Sequence, residues 1–385
     1  MKYKLSELFE LQMGKTPSRN EVDYWNSADA KWISIGDLSQ AGKYIYDTKE
    51  YLSSKAIIES GIKEIPENTV VMSFKLSIGK VAITTEKMYS NEAIMAFIDK
   101  GKSAVLPDYL YYLFLHNDWD VGTNKAVMGK TLNKATMSEI EIEIHNEDEQ
   151  REIVDLLDKV SEIIEQRKQQ IVLLDNLIKS RFVEMFGDEN NSKRWDIVDV
   201  KDVADVQVGV VIKPSQYYTD KTNGVRAFRS LNIGAGYIKD NDWVYFTQEG
   251  HQKNSKSILK ENDLLIVRSG APGTACVVTK AYEGYNAIDI IIAHPNCEKV
   301  NPHYLCAYTN MPHGKKQIDE GVGGAAQQHF NVGKYNKLQL MLPPIQIQEE
   351  FVKFVDEIDK LKSEVQKSLD EMQLLMDSLM QKYFG

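Results

Sequence analysis

The chain of 385 residues is one unit written twice. Shifted by about 195 positions, Leu5–Gly14 (LSELFELQMG) falls on Val200–Gly209 (VKDVADVQVG), apolar on apolar, with Gln and Gly identical. Lys15-Thr16-Pro17-Ser18 then meets Lys213-Pro214-Ser215 after a short insertion. Trp32–Leu38 (WISIGDL) meets Ala227–Ile233 (AFRSLNI), and Ile65–Ile83 meets Leu259–Val277 with Asn68 on Asn262 and Gly79 on Gly273. Leu106–Leu110 meets Asn301–Leu305, and Glu149–Val154 meets Ile347–Val352. Both copies close on a shared phrase, SRFVEMFG at Ser180–Gly187 and SLMQKYFG at Ser378–Gly385. A repeat this long means duplicated domains, not a solenoid.

Each copy opens with a stretch of short apolar runs broken by Gly, Pro and Asn. TVVMSF, KVAIT and EIEIEI in the first copy, and DLLIVRS, TACVVT and KLQLML in the second, read as strands, as does WISIGDL. Helices are predicted over 107–117 and 302–309, each opened by a proline where a missing N–H costs nothing. The class is α+β.

Each copy then turns helical. Ile153, Leu157, Val160, Ile164, Arg167, Ile171, Leu174, Ile178, Arg181 and Met185 step by 4 and 3, a heptad seam. The seam recurs 198 positions on as Phe351, Val355, Ile358, Lys362, Val365, Leu369, Met372, Met376, Leu379 and Tyr383. Roughly 36 residues make a helix about 54 Å long. Two such seams in one chain pack most simply on each other as an antiparallel coiled coil with pseudo-two-fold symmetry. Arg167 and Arg181 either pair with acids such as Glu165 and Glu184 or mark where a partner helix packs. The domain boundaries expected are 1–146, 147–187, 188–343 and 344–385.

Charge divides along the same lines. Residues 147–187 carry 6 Lys and Arg against 10 acids, and 344–385 carry 5 against 9, so the helices hold −8 of the net −10. Residues 1–146 (17 against 20) and 188–343 (18 against 17) are near neutral. Acidic helices avoid a polyanion and suit a protein partner, while the other segments can carry local basic patches. Cys276, Cys297 and Cys306 form no CxxC pair and no ligand spacing, and read as small buried thiols of a reducing cytoplasm. No apolar run reaches the roughly 18 residues that span a bilayer, and no secretory signal is expected.

The whole pattern resembles the specificity subunit of Type I restriction-modification systems. The resemblance rests on the duplicated architecture and on several phrases. These are Gly14-Lys15-Thr16-Pro17-Ser18; Leu342-Pro343-Pro344 followed by Gln348; and Ser180, Phe182, Phe186 and Gly187 at the helix end. Where such chains carry Leu-Pro-Pro before the first helix, this one has Ile144-His145-Asn146-Glu147. The resemblance implies a non-catalytic subunit. Its two target-recognition domains each read one half of a split, asymmetric DNA site. Its helices set the gap and dock two modification subunits, and restriction subunits join them. S-adenosylmethionine, ATP and Mg would sit on those partners, with no cofactor or metal on this chain. Half-sites about one helical turn apart suit helices of this length.

The motifs absent agree. There is no Asn/Asp-Pro-Pro-aromatic tetrapeptide, no GxxxxGK[ST] loop, no Glu-x-Lys and no HExxH. For DNA contact the chemistry favours Arg for guanine, Asn and Gln for adenine, and Lys for phosphate. In the first copy the candidates are Lys15, Thr16, Ser18, Arg19, Lys75, Lys130, Thr131, Asn133 and Lys134. In the second they are Lys213, Ser215, Arg229, Arg268, Ser269, Gln327, Gln328 and His329, whereas Arg226 could pair with an acid. The competing reading of each is a solvated surface charge. Two other functions compete: a coiled-coil adaptor that binds no DNA, and a detached recognition arm of another restriction-methylation enzyme.

Overall fold

The computed structural model describes the chain except residues 76, 118, 120–131 and 323–329. It forms two compact units, Met1–Lys168 with Lys367–Gly385, and Gln169–Gln366. Each unit combines a mixed sheet region with the start of one long helix and the end of the other.

In the first unit a five-stranded sheet has the order Phe9–Met13, Ile94–Asp99, Val70–Ser73, Val81–Thr84, Tyr44–Ile45. The first four strands are antiparallel neighbours, and the last pairs in parallel. Alternate side chains enter different cores. Val70, Met72, Met95 and Phe97 face the helices, while Val71, Ile94 and Ala96 face a second cluster with Ile33 and Leu38. A sheet buried on both faces explains why these runs are continuously apolar instead of alternating. The second unit repeats the plan with Ala204–Val208, Ile290–Pro295, Leu264–Val267 and Ala275–Val277. There Leu264, Ile266 and Ile291 face the helices, and Leu265, Val267 and Ile292 face away.

The segments expected as strands at WISIGDL and AFRSLNI are only half strand. Ala30–Ile33 is extended, but Ile35–Gln40 is helical. Ser34 accepts from the Asp37 N–H, and the Asp37 carboxylate accepts from the Ser34 N–H, a capping box that ends the strand. Val225–Phe228 likewise gives way to a 3-10 turn at Ser230–Asn232. Helices Pro107–His116 and Pro302–Asn310 carry proline in their first turn.

The long helices run Glu147–Phe186 and Ile345–Phe384, 40 residues each. The first starts without the proline pair of the second. Asn146 Oδ1 accepts from the Glu149 N–H (3.0 Å), and Glu149 Oε2 accepts from the Asn146 N–H (3.2 Å). Glu147, Asp148 and Glu149 add favourable charge at the positive end of the helix dipole. One buried glutamine in the first turn, Gln150 or Gln348, then fastens each helix to its sheet domain. Gln150 accepts from the Leu106 N–H and donates to the Ala104 and His145 carbonyls, all at 2.9 Å. Gln348 accepts from the Asn301 N–H (2.8 Å) and donates to the Pro343 carbonyl (2.7 Å).

Within each unit the two helix segments run antiparallel. In the first, Ile153, Leu157, Val160 and Ile164 are buried, Met376 packs against the same core, and Arg167 Nε reaches Ser368 Oγ at 3.1 Å. In the second, Phe351 and Ile358 are buried and Lys362 Nζ meets Asp175 at 2.6 Å. Arg181 pairs with Glu184 (2.8 Å) and lies 5.7 Å from the Phe354 ring. Ile171, Leu174, Ile178, Val355, Val365, Leu369, Met372 and Met376 are only half-buried, because a helix pair encloses a knob from one side.

The closing phrases make the same contact in both units. The Phe186 ring packs 4.8 Å from Tyr304, and the Phe384 ring 5.4 Å from Tyr109, its repeat partner. Cys276 and Cys306 are buried free thiols, and burial pushes Cys306 up to about 12. Cys297 is exposed, contrary to its reading as a buried thiol, because it lies in the turn after Ile290–Pro295. Among the described residues no helix is long and apolar enough to cross a membrane.

Candidate nucleic-acid interface

The sheet topology brings several strand ends to one edge in each unit. In the first unit Phe9–Met13 runs out into Gly14, whose N–H donates to the Ile94 carbonyl (3.1 Å). A Cβ at Gly14 would stand 2.2 Å from the Ser90 carbonyl oxygen, so only glycine allows this approach. The Lys15 N–H donates to that same carbonyl at 2.8 Å. Two indoles hold the following loop: Trp32 Nε1 donates to the Lys15 carbonyl (3.1 Å) and Trp25 Nε1 to the Ser18 carbonyl (3.0 Å).

Thr16 donates its hydroxyl proton to the Glu92 carboxylate. This bond, assisted by the charges of Lys75 and Arg19, holds Glu92 below the usual carboxylate range against the opposing effect of burial. Lys75 follows Val70–Ser73, half-buried, with its ammonium 5.2 Å from the Phe74 ring. Thr16 and Glu92 are therefore joined at this edge, with the charge of Lys75 acting on Glu92. Arg19 is engaged more fully. Its guanidinium makes two bonds to the Glu50 carboxylate (2.5 and 3.0 Å) and stacks 3.7 Å over Trp25. Lys15 Nζ donates to the Ser60 carbonyl at 2.5 Å. Ser18 is exposed.

Asn133 caps the helix Lys134–Ser138 by accepting from the Thr136 N–H at 3.0 Å. Asn331, its repeat partner, caps Val332–Asn336 in the same way through the Lys334 N–H. The residue read from the sequence as a base contact is thus occupied by a helix terminus, while Lys134 is exposed. Lys130, Thr131, Gln327, Gln328 and His329 lie outside the described residues.

The second unit builds the same edge. Gly209 donates to the Ile290 carbonyl (2.9 Å), and a Cβ there would stand 2.2 Å from the Ala287 carbonyl oxygen. Arg268, at the repeat position of Phe74 and one residue before that of Lys75, pairs with Asp289, and its Nε donates to the Phe330 carbonyl at 3.3 Å. Ser269 beside it is half-buried, and Lys213 and Ser215 are exposed. Arg229 donates to the Asp242 carbonyl, and its buried Nε–H has no partner among the described residues. Arg226 pairs with Asp240 (3.3 Å) and lies 5.4 Å from the Trp243 ring.

Sequence reasoning missed the acids. Glu92 and Asp289 precede equivalent strands, Ile94–Asp99 and Ile290–Pro295; Glu92 accepts from Thr16 and Asp289 pairs with Arg268. The repeat itself carried that signal. Paired with a carboxylate, a guanidinium is held in one orientation, and the carboxylate can itself accept from cytosine or adenine amino groups. Among the described residues no group of three or more His, Cys, Asp or Glu side chains could hold a metal ion.

Comparison with known proteins follows the same two-part division. A family model described as the Type I restriction modification DNA specificity domain matches residues 1–173 and again 192–371. The Type I restriction enzyme MjaIX specificity subunit of Methanocaldococcus jannaschii is 24% identical over 378 residues, covering 91% of this chain and 85% of that protein. In fold, the chain is similar to a Type-I restriction-modification system S subunit from M. genitalium, with TM-score 0.59 and 14% identity over 100% of this chain and 96% of that one. It is also similar to a chain from a structure addressing complex assembly and conformational transition of the type I R-M system. There the TM-score is 0.65 at 16% identity, over 100% of this chain and 97% of that one.

Proposed function

The chain belongs to the Type I restriction modification DNA specificity domain family, and from that premise we propose that it is the DNA-recognition subunit of a Type I restriction-modification complex. Each unit reads one half of a bipartite, asymmetric site. The observation that carries this reading is that the family match occurs twice, once for each sheet domain with its glycine-pinned edge. At the first edge Thr16 donates to the Glu92 carboxylate, and at the second Arg268 pairs with Asp289.

The long helices fix the gap between the half-sites and dock the partner subunits. Supporting this, they leave large apolar side chains in solvent: Leu374 and Leu375 in the first unit, and Leu173, Leu177, Val183 and Leu361 in the second. Exposed apolar side chains on otherwise acidic helices suit a protein partner and repel a polyanion. The chain supplies no chemistry of its own. Methyl transfer with S-adenosylmethionine and the ATP- and Mg-dependent steps belong to modification and restriction subunits in the cytoplasm.

The test is to express the chain with and without a candidate modification subunit and map adenine methylation on genomic DNA. A two-part motif present only when both are expressed is the expected result. Methylation at a short continuous palindrome contradicts the two-reader account, and a coiled-coil adaptor produces no motif at all.

A further inference from the structure

The edges of the two units differ in one loop. Between the pinned glycine and the following proline the first unit has Lys15 and Thr16, and the second has Val210, Val211, Ile212 and Lys213. The added residues are apolar and stand in solvent: Val211 is 47% exposed and Ile212 80%. Their backbone is nonetheless tied on both flanks, at Val210 and, after the tip, at the Lys213 carbonyl, which accepts from the Gln216 N–H (3.1 Å). The Val210 N–H donates to the Ala287 carbonyl (2.8 Å), and the Val210 carbonyl accepts from the Asp289 N–H (3.1 Å). Lys213 and Asp289 both adopt left-handed backbone, φ 43° and 49°, a conformation that costs free energy in residues with a side chain. Asp289 in turn holds Arg268.

An isoleucine is stiff at χ1, so a contact made by its side chain loses little rotamer freedom. The loop therefore presents a rigid apolar tip beside Lys213 and the Arg268–Asp289 pair. In the major groove of DNA the one apolar group on a base edge is the C5-methyl of thymine. We infer that Ile212, with Val211 beside it, is a specificity-determining contact that reads a thymine methyl in the half-site of the second unit. The inference rests on the DNA-reading assignment above. It gives the second unit an apolar base contact at the place where the first unit has the hydroxyl of Thr16 bonded to Glu92.

The experiment uses the full chain with its modification subunits and a duplex carrying the mapped motif. Each thymine of the second half-site is replaced in turn by deoxyuridine, which lacks only the methyl group. At one position the unsubstituted protein binds about fourfold more weakly, the effect of one methyl-sized apolar contact. Ile212→Ser binds thymine and uracil duplexes equally there, and Ile212→Val retains a preference for thymine. Replacements in the first half-site have the same effect in protein with and without the substitution, which separates a lost contact from a damaged fold. The inference is overturned if Ile212→Ser keeps the full thymine preference, or if the second half-site contains no A·T pair. If the unsubstituted complex neither binds nor methylates a two-part site, the DNA-reading assignment fails and this inference with it.

Discussion

The two units share a core plan and differ in how the sheet is finished. In the first, a fifth strand, Tyr44–Ile45, extends the sheet, and the lysine before it reaches the long helix. Lys43 Nζ sits 2.6 Å from both Asp108 and Asp158, Tyr112 donates to Asp158 (2.5 Å), and Tyr44 donates to Asp108. In the second, the sheet stops at Ala275–Val277 among the described residues, and His303 takes the repeat position of Asp108. The second unit relies instead on aromatic packing. Phe182 and Phe186 are fully buried with Tyr304 and Phe351, whereas Phe384 in the first unit is half-buried. One duplicated core is thus fastened to its helices by a charged cluster in one copy and by packed rings in the other.

Three substitutions would sharpen that contrast. The largest effect is expected for Phe186→Ala, where a fully buried ring leaves a cavity costing about 3–5 kcal/mol. The matching change Phe384→Ala should cost about 1–2 kcal/mol, because that ring is already partly in water. Hydrogen exchange resolved by segment checks both. Protection should fall chiefly in the second unit for Phe186→Ala, and equal losses would remove the proposed difference. A smaller effect, about 2 kcal/mol, is expected for Lys43→Met, which leaves Asp108 and Asp158 without their cation. Exchange should quicken around Tyr44–Ile45 and the start of the first long helix while the second unit is unchanged. An unaltered first unit would show that the cluster does not fasten the sheet.

Most of the plan was legible because it rests on periodicity. The repeat announced the recurring sheet plan, the heptad steps announced both helices, and the apolar runs at 69–74 and 263–269 became central strands. What the sequence hid was local competition for polar groups. Ser34 and Asp37 close a strand that apolar content alone would continue. The Asn133 side-chain oxygen caps a helix, a use the sequence reading did not foresee. The partners of Arg19, Glu50 and Trp25, were not legible either, since the fold alone brings them to its guanidinium. Glu92 and Asp289 escaped notice because a carboxylate is the wrong charge for phosphate, and only folding brings Glu92 to Thr16 and Asp289 to Arg268.

The central claim is that the two units read DNA independently. Its most direct test exchanges residues 1–146 for the corresponding segment of another family member, keeps residues 147–385, and maps adenine methylation in cells expressing the modification subunit. One half of the two-part motif should change while the other half and the gap stay as they were. A motif in which both halves change together would contradict the account.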